Sequence, residues 1–207
     1  MNAKNWKLLT NPLNDENPIT VQVLGICSAL AVTVQVKPAM VMALSVIVVT
    51  SFSNLVISFL RKTIPMRIRI IVQLVVVATL VIMVDQILKA YVYDVSKKLS
   101  VFVGLIITNC IIMGRLEAFA MANKPMESFL DGIGNGAGYG LILVIVATAR
   151  ELFGSGSVLG YQLIPQKFYD LGYQNNGLMI LPPMALITVG IIIWIQRSKN
   201  HKLVDKS

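Results

Sequence analysis

Two cysteines, Cys27 and Cys110, are the residues of this chain best suited to redox or metal chemistry. Each lies well inside an apolar run, where a disulfide is not expected and a free thiol ordinarily packs as a small hydrophobe. Their placement argues for more. Each follows a polar or glycine interruption, VLGIC at 23–27 and LIITNC at 105–110, and the two segments occupy matching positions in the two halves of the sequence. Two thiolates are half of what an all-cysteine iron–sulfur cluster needs, so such a cluster would require two more from another subunit. Only one histidine, His201, is present, which leaves a mixed cysteine–histidine zinc site incomplete.

Acidic residues inside apolar stretches are costly and by default mark ion pathways. Asp85 is the deepest, with Lys89 one helical turn later as an i,i+4 partner. Asp131 is expected to open a glycine-rich helix, where a carboxylate favours the positive end of the dipole. A cation pathway and structural pairing stand open for both Asp85 and Asp131. Glu117 and Glu151, next to Arg115 and Arg150, read as interfacial residues paired with neighbouring cations. Residues 132–137 fit G-x-G-x-x-A but lack the strand and βαβ unit a dinucleotide would need. On a helix, Gly132, Gly136 and Gly140 instead share one face and Gly134 and Gly138 another, a spacing for close helix contact. No Ser/His/Asp arrangement, P-loop or S-x-A-T flavin-attachment sequence occurs.

The elements that must hold these residues are membrane helices. Hydrophobic residues make up 56% of the 207 and charged residues 14%, too few to cover a soluble body. Mean hydropathy is +0.73. The formal charge of +8 sits in short clusters between apolar runs, as in membrane loops, so no nucleic-acid partner is expected. Charge-free runs predict an all-α, polytopic fold of six transmembrane helices: 19–36, 38–60, 70–84 continuing to 88, 99–114, 132–149 and 171–196. The first and fourth are short or broken, which is tolerated only in protein or at a cavity. Such a pair in corresponding halves points to a central site. Three spans per half is odd, so the halves form an inverted repeat, about 18–90 and 99–197, within a single integral membrane domain over 1–207. Twelve of the eighteen basic residues fall on the side holding both termini, which makes that side cytoplasmic. The first segment is expected to be retained rather than cleaved as a signal.

Three stretches make the chain similar to a known family: NPITVQVLGICSALAVT (17–33), SVFVGLIITNCIIMGRLEAFA (100–120) and SFLDGIGNGAGYG (128–140). It resembles the NqrD/RnfE family, formed by the D subunit of the bacterial Na⁺-translocating NADH:quinone reductase (Nqr) and the E subunit of the Rnf ferredoxin:NAD⁺ oxidoreductase, over about 17–197. IIVQ (70–73), VDQILKAY (84–91) and DGIGNG (131–136) favour the Nqr branch. The resemblance implies an inner-membrane translocase component, not catalytic alone, that passes electrons from NADH toward ubiquinone with Na⁺ export. It implies a pseudosymmetric pairing with the homologous E subunit (NqrE), alongside NqrA, NqrB, NqrC, NqrF and membrane lipid. It also implies that Cys27 and Cys110 ligate half of a [2Fe–2S] cluster shared with that partner, and that no flavin is attached to this chain. Open beside it are the Rnf branch, a cluster-free secondary transporter and a purely structural assembly subunit.

Overall fold

Small residues at a spacing of four let two helix backbones approach closely, and that contact is the spine of this molecule. The computed structural model describes residues 3–14, 16–91, 104–159, 161–162 and 177–199. Helices among them are α1 (Ala3–Asn14), α2 (Ile26–Val32), α3 (Val36–Leu60), α4 (Arg69–Tyr91), α5 (Cys110–Arg115), α6 (Pro125–Ser155) and α7 (Pro182–Lys199), and residues 104–107 are also helical. A π-helical turn, Leu116–Ala120, prolongs α5. A two-residue antiparallel ladder pairs Ser157–Val158 with Tyr161–Gln162 beyond α6. Helix α6 starts with proline at its first position and stops at Gly156, whose left-handed φ of 69° ends the helix by returning its N–H to Leu152 O.

Helices α3 and α6 run antiparallel and make the most extensive contact. Along α6, a Cβ added to Gly132 would fall 2.6 Å from Ser51 Cα, one on Gly136 2.8 Å from Ile47 Cα, and one on Gly140 2.9 Å from Ala43 Cβ. The second glycine face, Gly134 and Gly138, receives the backbone of α1 at Leu8 and Pro12. Both faces read from the glycine spacing are therefore used, each by a different helix. Around this spine Val46, Val49, Ile57, Ile111, Ile112, Leu116, Leu143 and Val146 are fully buried.

Helices α3, α4 (over Arg69–Ala90) and α6 are the three among the described residues long and apolar enough to cross a membrane. The remaining expected spans differ in extent. The first holds only the seven-residue α2, because Val23 and Gly25 adopt left-handed φ values of 58° and 78° and Val36 already opens α3. Helix α6 begins at Pro125, seven residues before the first charge-free position, and absorbs Asp131. The start of the fourth span (99–103), residues 171–176 of the sixth, His201, and Lys97, Lys98, Lys167, Lys202 and Lys206 lie outside the described residues. What is described of the sixth span is a short 3₁₀ turn, Gly177–Ile180, followed by α7.

Candidate redox site at the two helix breaks

The first break is made by backbone conformation. Gly25 is the residue before α2, and its φ of 78° suits glycine alone without penalty. A Cβ there would also strike the Tyr139 ring, 2.9 Å from Cε2. Val23, β-branched at φ 58°, carries strain on the same bend. Asn17 stabilises the approach: its Oδ1 accepts from Ile19 N at 3.0 Å and Thr20 N at 3.3 Å, and its Nδ2 donates to Gly138 O at 3.1 Å. The second break is made by a side chain. Asn109 caps α5, its Oδ1 accepting from Ile111 N at 3.3 Å.

Cys27 and Cys110 are therefore the second and first residues of two short helices that start at breaks. Hydrogen bonds join the breaks. Asn109 Nδ2 donates to Ser28 Oγ at 3.2 Å, Ser28 Oγ donates to Gly25 O at 2.9 Å, and the Tyr139 hydroxyl lies 2.7 Å from Ser28 Oγ. The neighbours of both cysteines are thus fastened together, although 81 residues separate Ser28 from Asn109. Both thiols are free and exposed on the outer surface of this chain. Ser28, Asn109 and Tyr139, which hold them in place, are buried. The donor set fits half of a cluster site: two free, exposed thiols, each next in sequence to a buried polar residue of one hydrogen-bonded group. Among the described residues no three His, Cys, Asp or Glu side chains converge.

The carboxylates are paired. Asp131 does not open α6 as its sequence context suggests, because the helix starts six residues earlier, and its carboxylate meets Arg115 of α5 instead. Arg115 Nε donates to Asp131 Oδ2 at 2.9 Å, its Nη2 donates to Oδ1, and Asn135 Nδ2 donates to the same Oδ1 at 3.0 Å. Arg115 also lies 5.3 Å over the Phe119 ring. Asp85 and Lys89 form the expected i,i+4 pair at 2.6 Å. Glu117 pairs with Arg69 of α4 rather than with Arg115, and accepts from Gln73 Nε2 at 3.2 Å. Glu151 accepts from Val36 N at 2.6 Å and Leu159 N at 3.0 Å, not from Arg150.

Sequence reasoning misses Arg150 as a structural centre. Fully buried, it donates to Thr33 Oγ1 at 2.6 Å, Ile180 O at 2.8 Å, Met179 O at 3.1 Å and Leu181 O at 3.2 Å. It also reaches Leu30 O at the end of α2, at 3.5 Å. A cavity of about 370 Å³ with mixed polar and apolar lining opens at this end of α6, with Lys37, Arg150 and Glu151 beside Val34, Leu159 and Ile180, and neither cysteine lines it.

Comparison with known proteins gives the family. A family profile described as "Rnf-Nqr subunit, membrane protein" matches residues 5–193. A protein of Aeromonas hydrophila, named as the D subunit of a Na(+)-translocating NADH-quinone reductase, is 59% identical over 199 residues, 96% of this chain and 95% of its own length. A Haemophilus ducreyi protein of the same name is 59% identical over 201 residues, 97% of each chain. One from Shewanella sp. strain ANA-3, again of that name, is 56% identical over 204 residues, 98% and 97% of the two. The chain thus belongs to the Rnf-Nqr family of membrane-protein subunits, on the branch that carries the D-subunit name.

Proposed function

We propose that this chain acts as the D subunit of a Na⁺-translocating NADH:quinone reductase, where Cys27 and Cys110 supply half of the ligands of an intramembrane [2Fe–2S] cluster. The homologous NqrE supplies the other two thiolates, and NqrA, NqrB, NqrC and NqrF complete the complex. When bound, the cluster provides a one-electron relay that divides the transmembrane path into two shorter hops. This chain's own task is to present two thiolates at fixed spacing and to keep the surrounding polar groups satisfied where water is absent. The observation that carries the reading is the Ser28–Asn109 hydrogen bond, which fastens the breaks beside two exposed, free thiols.

The same reading puts the chain in the bacterial inner membrane as six spans in two inverted halves. Support comes from Arg61 and Arg150, at or near the ends of α3 and α6. Arg61 Nη1 donates to Asn123 O just before α6 at 2.7 Å, while Arg150 donates to Thr33 just before α3. Each long helix of one half thus ties down the entry to the long helix of the other. Arg61, Arg69, Arg115 and Lys124 gather at one end of the α3–α6 spine, and that end is cytoplasmic in this reading. Asp85 and Asp131 remain the candidate positions on a cation path, Asp131 through exchange of its Arg115 partner.

Iron analysis of the assembled complex tests the proposal. Complexes carrying Cys27→Ala or Cys110→Ala should purify intact with the iron and electron-paramagnetic signal of the membrane cluster missing. Normal iron content in both variants would show the cysteines to be packing residues.

A further inference from the structure

Tyr139 is the largest apolar-bodied side chain at the junction of the two breaks, and it is fully buried. Its hydroxyl meets Ser28, whose hydroxyl has one proton and two lone pairs. Ser28 gives its proton to Gly25 O and accepts from Asn109 Nδ2, so its second lone pair takes the phenol proton of Tyr139. Every hydrogen-bonding position on Ser28 is thereby used. The Tyr139 ring meanwhile fills the space where Gly25 has no side chain. One residue of α6 therefore touches both breaks, through its ring edge at the first and through Ser28 and Asn109 at both.

The position of Tyr139 on α6 extends the point. Asp131, Asn135 and Tyr139 follow at i, i+4 and i+8 and form one stripe. Asp131 holds Arg115, the last residue of α5, and Tyr139 holds the Ser28–Asn109 link at the residue before α5. The stripe clamps α5 at both ends, with Cys110 just inside the Tyr139 end. Loss of the Tyr139 hydroxyl would loosen that end alone, where the Asn109–Ser28 bond loses its support from α6, and would leave the other end anchored through Arg115.

We propose that Tyr139 is the positioning residue for the thiol pair, its ring edge and O–H setting the spacing between Cys27 and Cys110. The proposal rests on the cluster reading above for its purpose, but its geometry can be measured without iron. A tyrosine that is merely a satisfied core residue would affect stability and leave the spacing of the thiols alone.

The test uses nitroxide labels on Cys27 and Cys110 in the assembled, iron-stripped complex whose other subunits have had their cysteines replaced by Ser, with Cys27→Ala and Cys110→Ala versions of that complex as single-label references. Dipolar broadening between the two labels reports their spacing. In Tyr139→Phe, which keeps the ring, the broadening should be lost or smeared into a wide distribution. Ser28→Ala removes the same bond together with those to Asn109 and Gly25, so its loss of broadening should be at least as large, and adding Tyr139→Phe to it should cost nothing further because the Tyr139 bond is already gone. The as-purified variants should also retain less iron than the parent. Unchanged broadening in an assembled Tyr139→Phe complex would overturn the proposal, and where that variant fails to assemble, unchanged broadening in Ser28→Ala, which also lacks the Tyr139 bond, overturns it as well. If the cysteines are not cluster ligands, iron stays normal in their Ala variants while the broadening result stands by itself, so the two failures are distinguishable.

Discussion

Asn109 reaches Ser28 across 81 residues of sequence at 3.2 Å, and this bond makes one structural unit of two cysteines that lie in separate helices. A unit of this kind is expected to fail as a whole. Replacing either Cys27 or Cys110 should therefore abolish NADH-driven quinone reduction equally, with no residual half-function. NADH oxidation by an artificial acceptor, upstream of the membrane relay, should survive. Steady-state assays with the two acceptors check this, and a Cys110→Ala complex with normal quinone reduction would refute it.

Gly25→Ala should weaken the first break. A left-handed backbone costs an L-residue about 1–2 kcal/mol, and the new methyl would also stand 2.9 Å from the Tyr139 ring. A lower thermal midpoint of the detergent-solubilised complex is expected, with loss of the cluster signal before global unfolding.

The glycines of α6 and α7 should differ sharply. Gly132→Ala puts a methyl 2.6 Å from Ser51 Cα and must push the α3 and α6 backbones apart, at a cost of about 1–3 kcal/mol or more by overpacking. Gly190→Ala in α7 meets nothing within 4 Å. It should be neutral or stabilising by about 0.5–1 kcal/mol through helix propensity. Thermal midpoints of the two variants measured side by side settle the contrast.

Arg115 and Asp131 should show strong coupling. Their side chains are 14% and 3% exposed, so removing one partner strands a buried charge at about 3–5 kcal/mol. Arg115→Gln or Asp131→Asn alone should markedly lower the yield of assembled complex, while the double variant recovers much of it. Additive losses in the double-mutant cycle would show that the two do not act as a pair.

Reporter fusions after Ser207 should be active only in the cytoplasm, as the distribution of basic residues requires. Activity confined to the opposite side would reverse the orientation.

Legibility in the sequence follows the range of each interaction. Local relationships are readable: the two glycine faces of α6 follow from i,i+4 spacing, and Asp85–Lys89 is a single-turn pair. The breaks before Cys27 and Cys110 are visible as Gly25 and Thr108-Asn109, residues that either adopt unusual backbone angles or cap helices. Tertiary partners are not readable. Sequence adjacency pairs Glu117 and Glu151 with Arg115 and Arg150, but near neighbours on a helix do not face one another. Their partners instead come from α4, from the start of α3 and from Leu159 N beyond α6. Charge-free runs measure apolar thickness and not helix length, which is why they put Asp131 at a helix start it does not occupy. Helix α1 is hidden because Pro12 and the polar residues around it suggest irregular chain. It is held by glycines more than a hundred residues further on, and its own sequence carries no sign of them.

Those distances along the chain also set an order of synthesis. Asn17 finds its acceptor at Gly138, 121 residues later, and Ser28 meets Tyr139 at a separation of 111. At about 5–20 residues per second of translation, the ribosome needs roughly 6–24 s to deliver those partners. Throughout that interval Asn17 Nδ2 lacks its acceptor on α6, while Asn17 Oδ1 and the Ser28 hydroxyl are already satisfied within the segment by the Ile19 and Thr20 N–H groups and by Gly25 O. The native seat of the segment is therefore completed only once α6 has been made. The first break is thus finished late, by a helix whose contacting residues follow it by more than a hundred positions.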